Sequence, residues 1–166
     1  MSVTPTSRIC ILDAGPIIHL DQLGALDLVF KMGRVSVPES VAYEAEAHRP
    51  GVRTKIAPHI VEDVEGHSSR LSAATGFDEL QAGEKAALAW AEKFGADLFI
   101  SDDQAARAVA ETLGYETIGT IGVVRELYRG GVHSYEDAVA LLEAIPLKST
   151  LHVKASFLAR ILSSLR

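Results

Sequence analysis

Short apolar runs that end on carboxylates constrain this chain more than any other feature. In RICILDAGPIIHL (8–20), Ile9, Cys10, Ile11 and Leu12 form an unbroken apolar run that stops at Asp13. DLFIS (97–101) is a second such run, and Asp102 and Asp103 follow it. RVSVP and YETIG supply two more short candidates, at 34–37 and 115–119. Short apolar strands separated by helical stretches belong to a parallel sheet covered on both faces. In such sheets the functional crevice lies beyond the carboxyl ends of the strands. Asp13 and the Asp102–Asp103 pair are therefore expected to project into one crevice.

The stretches between these runs read as helices. Residues 15–33 fit one or two short helices broken at Gly24, and Pro38 opens a helix reaching about Arg49. LQAGEKAALAWAEKFGA is expected to be helical to Phe94, with Gly95 as its C-cap and with Trp90 and Phe94 in the core. DDQAARAVAETLG and TIGVVRELYRGG read as further helices, and GTIG (119–122) as a tight strand-to-helix turn. A helix is expected over 134–145, capped by Ser134. The last one, a basic amphipathic helix at 150–166, would bury Leu151, Ala155, Leu158 and Leu162. Residues 50–78 hold two prolines and three glycines and read as the least regular part, with a possible strand at 59–62.

Composition narrows the function classes. The 166 residues suit one domain with a substantial core, 48% of them being hydrophobic. One cysteine excludes an internal disulfide framework, no Cys/His spacing suggests zinc, and Cys10 is expected to pack as a small hydrophobe. MSVTPTSR has no apolar h-region and no run is long enough to span a membrane, so a cytoplasmic protein is expected. Net charge is 16 minus 22, or −6, but 145–166 carries four basic residues and no acid. The first 144 residues therefore hold 12 minus 22, or −10: an acidic body and a basic tail.

The acids that stand out are Asp13, the Asp102–Asp103 pair, Glu44 on the helix after the second strand, and Glu84 in the first turn of the Ala-rich helix. Singly, Glu84 suits a helix N-terminus, Glu44 a solvated face and Asp102 or Asp103 an N-cap. Together, clustered carboxylates raise one another's pKa unless a cation joins them. Oxygen donors of this kind suit Mg²⁺ or Mn²⁺, the ions of phosphoryl chemistry. No serine or cysteine nucleophile with a partnered histidine is evident, and His19 reads as a packing residue on the apolar side of its helix. A phosphoryl receiver using Asp13 would need a lysine after a later strand, and the runs at 97–101 and 116–118 have none there.

ILDAGPIIHL, VSVPESVAYEAE, LQAGEKAALAWAEKFGADLFISDDQAARAVAETLG and YETIGTIGVVRELYRGG, in that order, resemble the PIN-domain nucleases, the fold of VapC-type toxin ribonucleases. The pieces cover most of 8–131, and the run from Gly83 to Gly122 is the most specific. The resemblance implies a single PIN-like domain over 1–166. It also implies a three-layer α/β/α sandwich on a mostly parallel sheet of four to five short strands. It further implies a Mg²⁺- or Mn²⁺-dependent endoribonuclease. Asp13, Glu44 and Glu84 would be its first three acids and Ser101 a supporting hydroxyl. Asp102 or Asp103 would be the fourth: the family spacing of a hydroxyl, one residue, then Asp selects Asp103, while strand-end geometry favours Asp102. Asp13, Glu84 and one or both of that pair would hold the metal. Arg107 could meet a site acid or a substrate phosphate. A protein antitoxin and a homodimer are the partners implied.

Two departures are visible. Ala14-Gly15-Pro16 stands where many relatives carry hydroxyls, and the third acid is Glu rather than Asp. The alternative they motivate is a catalytically weak or inactive PIN-like module that binds RNA or a protein partner.

Overall fold

The computed structural model describes residues 7–166, and the expectation drawn from the N-terminal segment falls largely outside them. Five strands form one all-parallel sheet: β1 (Ile9–Leu12), β2 (Arg34–Pro38), β3 (Ile60–Val61), β4 (Leu98–Ile100) and β5 (Glu116–Ile118), in the order β3-β2-β1-β4-β5. Helices cover it, giving the α/β/α sandwich. β1 and β4 are central and nearly solvent-free, as their unbroken apolar sequences require. Cys10, on β1, is fully buried and pairs in register with Val35 of β2 and Leu98 of β4.

The strand order fixes where a site can be. From β1 the chain builds outward through β2 and β3, then returns to the other side of β1 for β4 and β5. The direction of building reverses between β1 and β4, and a crevice opens at the carboxyl ends of strands at such a switch point. Helix α1 (Ala14–Gln22) leaves β1 there and α7 (Gln104–Thr112) leaves β4. Two further helices frame the crevice: α3 (Glu39–His48) after β2, and α6 (Ala82–Phe94) before β4.

Other elements shift from the sequence expectation. Residues 50–78 carry two short helices, α4 (Val52–Ile56) and α5 (Ser69–Ala73), with Leu71 and Phe77 fully buried. Their apolar residues anchor them although prolines and glycines break the periodicity. A short helix α2 (Leu26–Val29) precedes β2, and α8 (Thr120–Arg129) follows β5. Helix α9 (Tyr135–Lys148) runs past the expected end with Pro146 inside it, and the last helix, α10, spans only Ala155–Ser164.

The buried stripe of α10 is Leu158, Ile161 and Leu165, one position round from the expected one, and Ala155 faces solvent. With Val124, Ala138, Leu142 and Ile145 these close a second, smaller core beyond the sheet. Lys148, Lys154, Arg160 and Arg166 remain exposed. Trp90 is buried as expected, but Phe94 in the last turn of α6 is 52% exposed. Among the described residues, no helix is long and apolar enough to cross a membrane.

Candidate active site

Asp13 ends β1 and caps α1: its Oδ1 accepts from the Ala14 amide at 2.8 Å. Its own amide donates to the Ile100 carbonyl at 2.9 Å, so the β1–β4 ladder runs up to the site. The other oxygen, Oδ2, accepts from the Ser101 hydroxyl at 2.7 Å. Ser101 is fully buried, and its Oγ also accepts from the Asp103 amide at 3.1 Å. One hydroxyl thus ties the carboxylate after β1 to the backbone that carries the acid after β4.

The loop after β4 bears on the departure after Asp13. The loop after β4 lies close over α1, and a β-carbon at Gly15 would stand 3.3 Å from Asp102 Cβ. A serine there would crowd the loop. The hydroxyl that Asp13 uses is that of Ser101, the residue after β4.

The two consecutive aspartates point into different surroundings. Asp103 caps α7, accepting from the Ala106 amide at 2.8 Å, and its charge is felt by Asp13, Glu44 and Glu84. The Asp102 carboxylate accepts from the Thr120 amide at 2.7 Å and the Thr120 hydroxyl at 2.6 Å, and lies 2.6 Å from His19 Nδ1. These contacts fasten the β4 loop to α1 and to the start of α8. His19 is thus one side of a polar clamp rather than the packing residue expected. Arg107 donates from Nη1 to the Ser101 carbonyl at 2.8 Å, bracing the same loop.

Glu84 completes a capping box at the start of α6, where its Oε2 accepts from the Gln81 amide at 2.9 Å. Glu44 reaches across from α3. A β-carbon at Gly83 would fall 2.6 Å from Glu44 Oε2, so the absence of a side chain at 83 lets the two helices meet with that carboxylate between them. The Glu44 carboxylate has no hydrogen-bond donor among the described residues.

Asp13, Glu44, Glu84 and Asp103 therefore share one electrostatic environment, and no ion pair among the described residues reaches any of them. Burial pushes the Asp13 carboxyl up to about 6; bonds from Ser101 and Ala14 pull it back, and Glu44 and Asp103 raise it further. Glu44 is raised by burial, then by Glu84 and Asp103 against a lowering by His48. Glu84 is raised by burial and by Asp13 and Asp103, with the Gln81 amide opposing. Four carboxylates with no cation among them are hard oxygen donors, the chemical type that Mg²⁺ or Mn²⁺ takes. As they stand, however, no group of three His, Cys, Asp or Glu side chains among the described residues is close enough together to hold a metal ion.

An all-parallel sheet with carboxylates gathered at its switch point defines a class of α/β protein built to offer an acidic crevice. A family model described as a PIN domain matches residues 9–166. The chain belongs to the PIN-domain family, whose members are generally nucleases and typically depend on divalent metal. No curated protein and no solved structure gives a significant match.

Proposed function

We propose that this protein is a Mg²⁺- or Mn²⁺-dependent endoribonuclease acting as a single PIN domain over 1–166 in the cytoplasm. The observation that carries the reading is the gathering of Asp13, Glu44, Glu84 and Asp103 in a crevice that no lysine or arginine neutralises, where burial first and the neighbouring acids second raise Asp13, Glu44 and Glu84. A bound divalent ion would neutralise the cluster and the phosphodiester charge and lower the pKa of a water. Asp13, Glu84 and Asp103 are the residues we assign to hold it. Each is oriented by its own donor: Ser101 and Ala14, Gln81, and Ala106. Asp102 is assigned to the clamp with His19 and Thr120 instead.

Glu44, with no internal donor, is the group we assign to accept the proton from the attacking water. The water oxygen bonds to phosphorus, one P–O ester bond breaks, and the leaving oxygen is protonated from solvent. Glu44 and Glu84 are half-buried, whereas Asp13 is buried and held by its two donors. Ser101 serves as the supporting hydroxyl, and Arg107, which holds the loop, is the residue we assign to meet a substrate phosphate.

The finer setting we propose is the toxin of a toxin–antitoxin pair, working as a homodimer with a small protein antitoxin as partner. A binding module without catalysis is the competing reading, motivated by the missing hydroxyls after Asp13; the Ser101–Asp13 bond, which gives Asp13 a hydroxyl donor without them, supports the enzyme. The test is cleavage of single-stranded RNA with Mn²⁺, alongside calorimetry of Mn²⁺ binding. Metal-dependent cleavage lost in Asp13→Asn supports the proposal. Absence of both cleavage and Mn²⁺ binding by the wild type overturns it.

A further inference from the structure

A cleft of about 500 Å³ opens beside the acid cluster, between the outer face of α3 and the first turn of α6. Along α3, Tyr43 and Glu44 are followed one turn later by Ala47 and His48; Ala82 and Gly83 face them from α6. Glu44 belongs to both places, so the cleft is continuous with the acids. Ala47, Ala82 and Gly83 have no side chain beyond Cβ and leave the cleft open beside Tyr43, while His48, also on its lining, sets Nδ1 3.0 Å from the Glu44 carbonyl. Tyr43 is 76% exposed and has no hydrogen-bond partner among the described residues, so the core gains little from it.

The chemistry of the cleft selects its occupant. Glu39 and Glu44 line the cleft and no lysine or arginine does, so beside a phosphodiester held at the acids the part of a nucleic acid that fits here is a neutral, flat base. Exposed aromatic rings bind bases through their π-faces, whatever the base, once it is unstacked. In double-stranded RNA the bases are stacked inside the helix, so only single-stranded segments can present one. We infer that this cleft receives one unpaired nucleobase of single-stranded RNA next to the phosphodiester lying at the acids. Tyr43 is its stacking platform and His48 its second wall. The inference rests on the ribonuclease reading and adds a subsite to it.

The experiment uses the full chain carrying Asp13→Asn, with Mg²⁺, and a single-stranded RNA oligonucleotide bearing 5-iodouridine, so that contact is recorded without cleavage. Irradiation and peptide mapping are expected to place the crosslink on Tyr43. By fluorescence anisotropy, Tyr43→Ala is expected to weaken binding by about tenfold, Tyr43→Trp to keep or tighten it, and duplex RNA to compete poorly. Phe94→Ala, which removes another exposed ring at the far end of α6, is expected to bind as before. A crosslink only at other residues, no RNA binding, or Tyr43→Ala binding within twofold of the parent overturns the inference. Binding with Tyr43 crosslinked, but no cleavage by the wild type, refutes the nuclease reading and leaves the base subsite standing.

Discussion

Asp13 and Asp21 lie at opposite ends of helix α1, both nearly buried at 4% and 9% exposure, yet their surroundings differ completely. Asp21 is met by Arg49 at 2.6 Å and Lys55 at 2.7 Å. Burial pushes its carboxyl up, but the bonds from Lys55 and Arg49 outweigh that and hold it below the ordinary carboxylate range. Asp13 has only neutral donors and further acids for company, and rises to about 6. The same residue type on one helix thus serves stability at one end, where cations come from the protein. At the other end it is left short of positive charge. A carboxylate kept this way is costly to the fold and useful to a ligand that brings its own charge.

That contrast can be broken or sharpened by experiment. The largest expected effect is on cleavage: Asp13→Asn is expected to lower it by about a hundredfold or more, while Asp21→Asn leaves it within about twofold. Gel-based RNA cleavage with Mn²⁺ checks both, and equal losses would erase the distinction. Next come the adjacent aspartates. Asp103→Asn is expected to reduce Mn²⁺ affinity by about tenfold in calorimetry. Asp102→Asn is expected to spare that affinity and cost about 1–2 kcal/mol of stability through the Thr120 and His19 bonds.

Stability should move in opposite directions at the two ends of α1. Because the folded pKa of Asp13 is raised from 3.8 to about 6, the unfolded chain ionises first as pH rises. Stability is therefore lost progressively from about pH 4 to about pH 6, and the cost persists above that. Asp13→Asn should accordingly stabilise the metal-free protein at pH 7.5 by about 1–3 kcal/mol and change little at pH 4, as read by urea unfolding. Asp21 has a lowered pKa, so its contribution is present at neutral pH and fades as pH falls through the folded value. Asp21→Asn should cost about 1 kcal/mol at pH 7.5, with its partners Arg49 and Lys55 largely exposed. The smallest effect expected is a rise in melting temperature with Mn²⁺ in the wild type, absent in Asp13→Asn.

Much of this arrangement is legible in the sequence. Apolar runs too short for helices give four of the five strands, the strand expected within 59–62 is found as β3, and the rule about strand ends places Asp13 and the Asp102–Asp103 pair at one edge. Glycines and caps mark the ends of α6 and α7. What is missing from the sequence is direction and distance. Which of Asp102 and Asp103 faces Asp13 depends on loop geometry after β4. The role of His19 depends on a partner 83 residues away. Pro146 lies within α9, which continues to Lys148. Phe94 falls on the apolar spacing of α6 but beyond the sheet it would cover. In α10 the buried stripe is set by the α8–α9 surface rather than by composition.

The Asp13–Ser101 bond joins residues 88 positions apart. Seen as an event in time, it means that the acid cluster is a late product of folding. Asp13 and Glu44 leave the ribosome early, but β4, Ser101 and Asp103 follow only after more than half the chain. The clamp on Asp102 needs Thr120 as well. Long-range pairings of this kind form slowly. A growing chain therefore carries separated carboxylates, and the complete crevice first exists when most of the protein has been made.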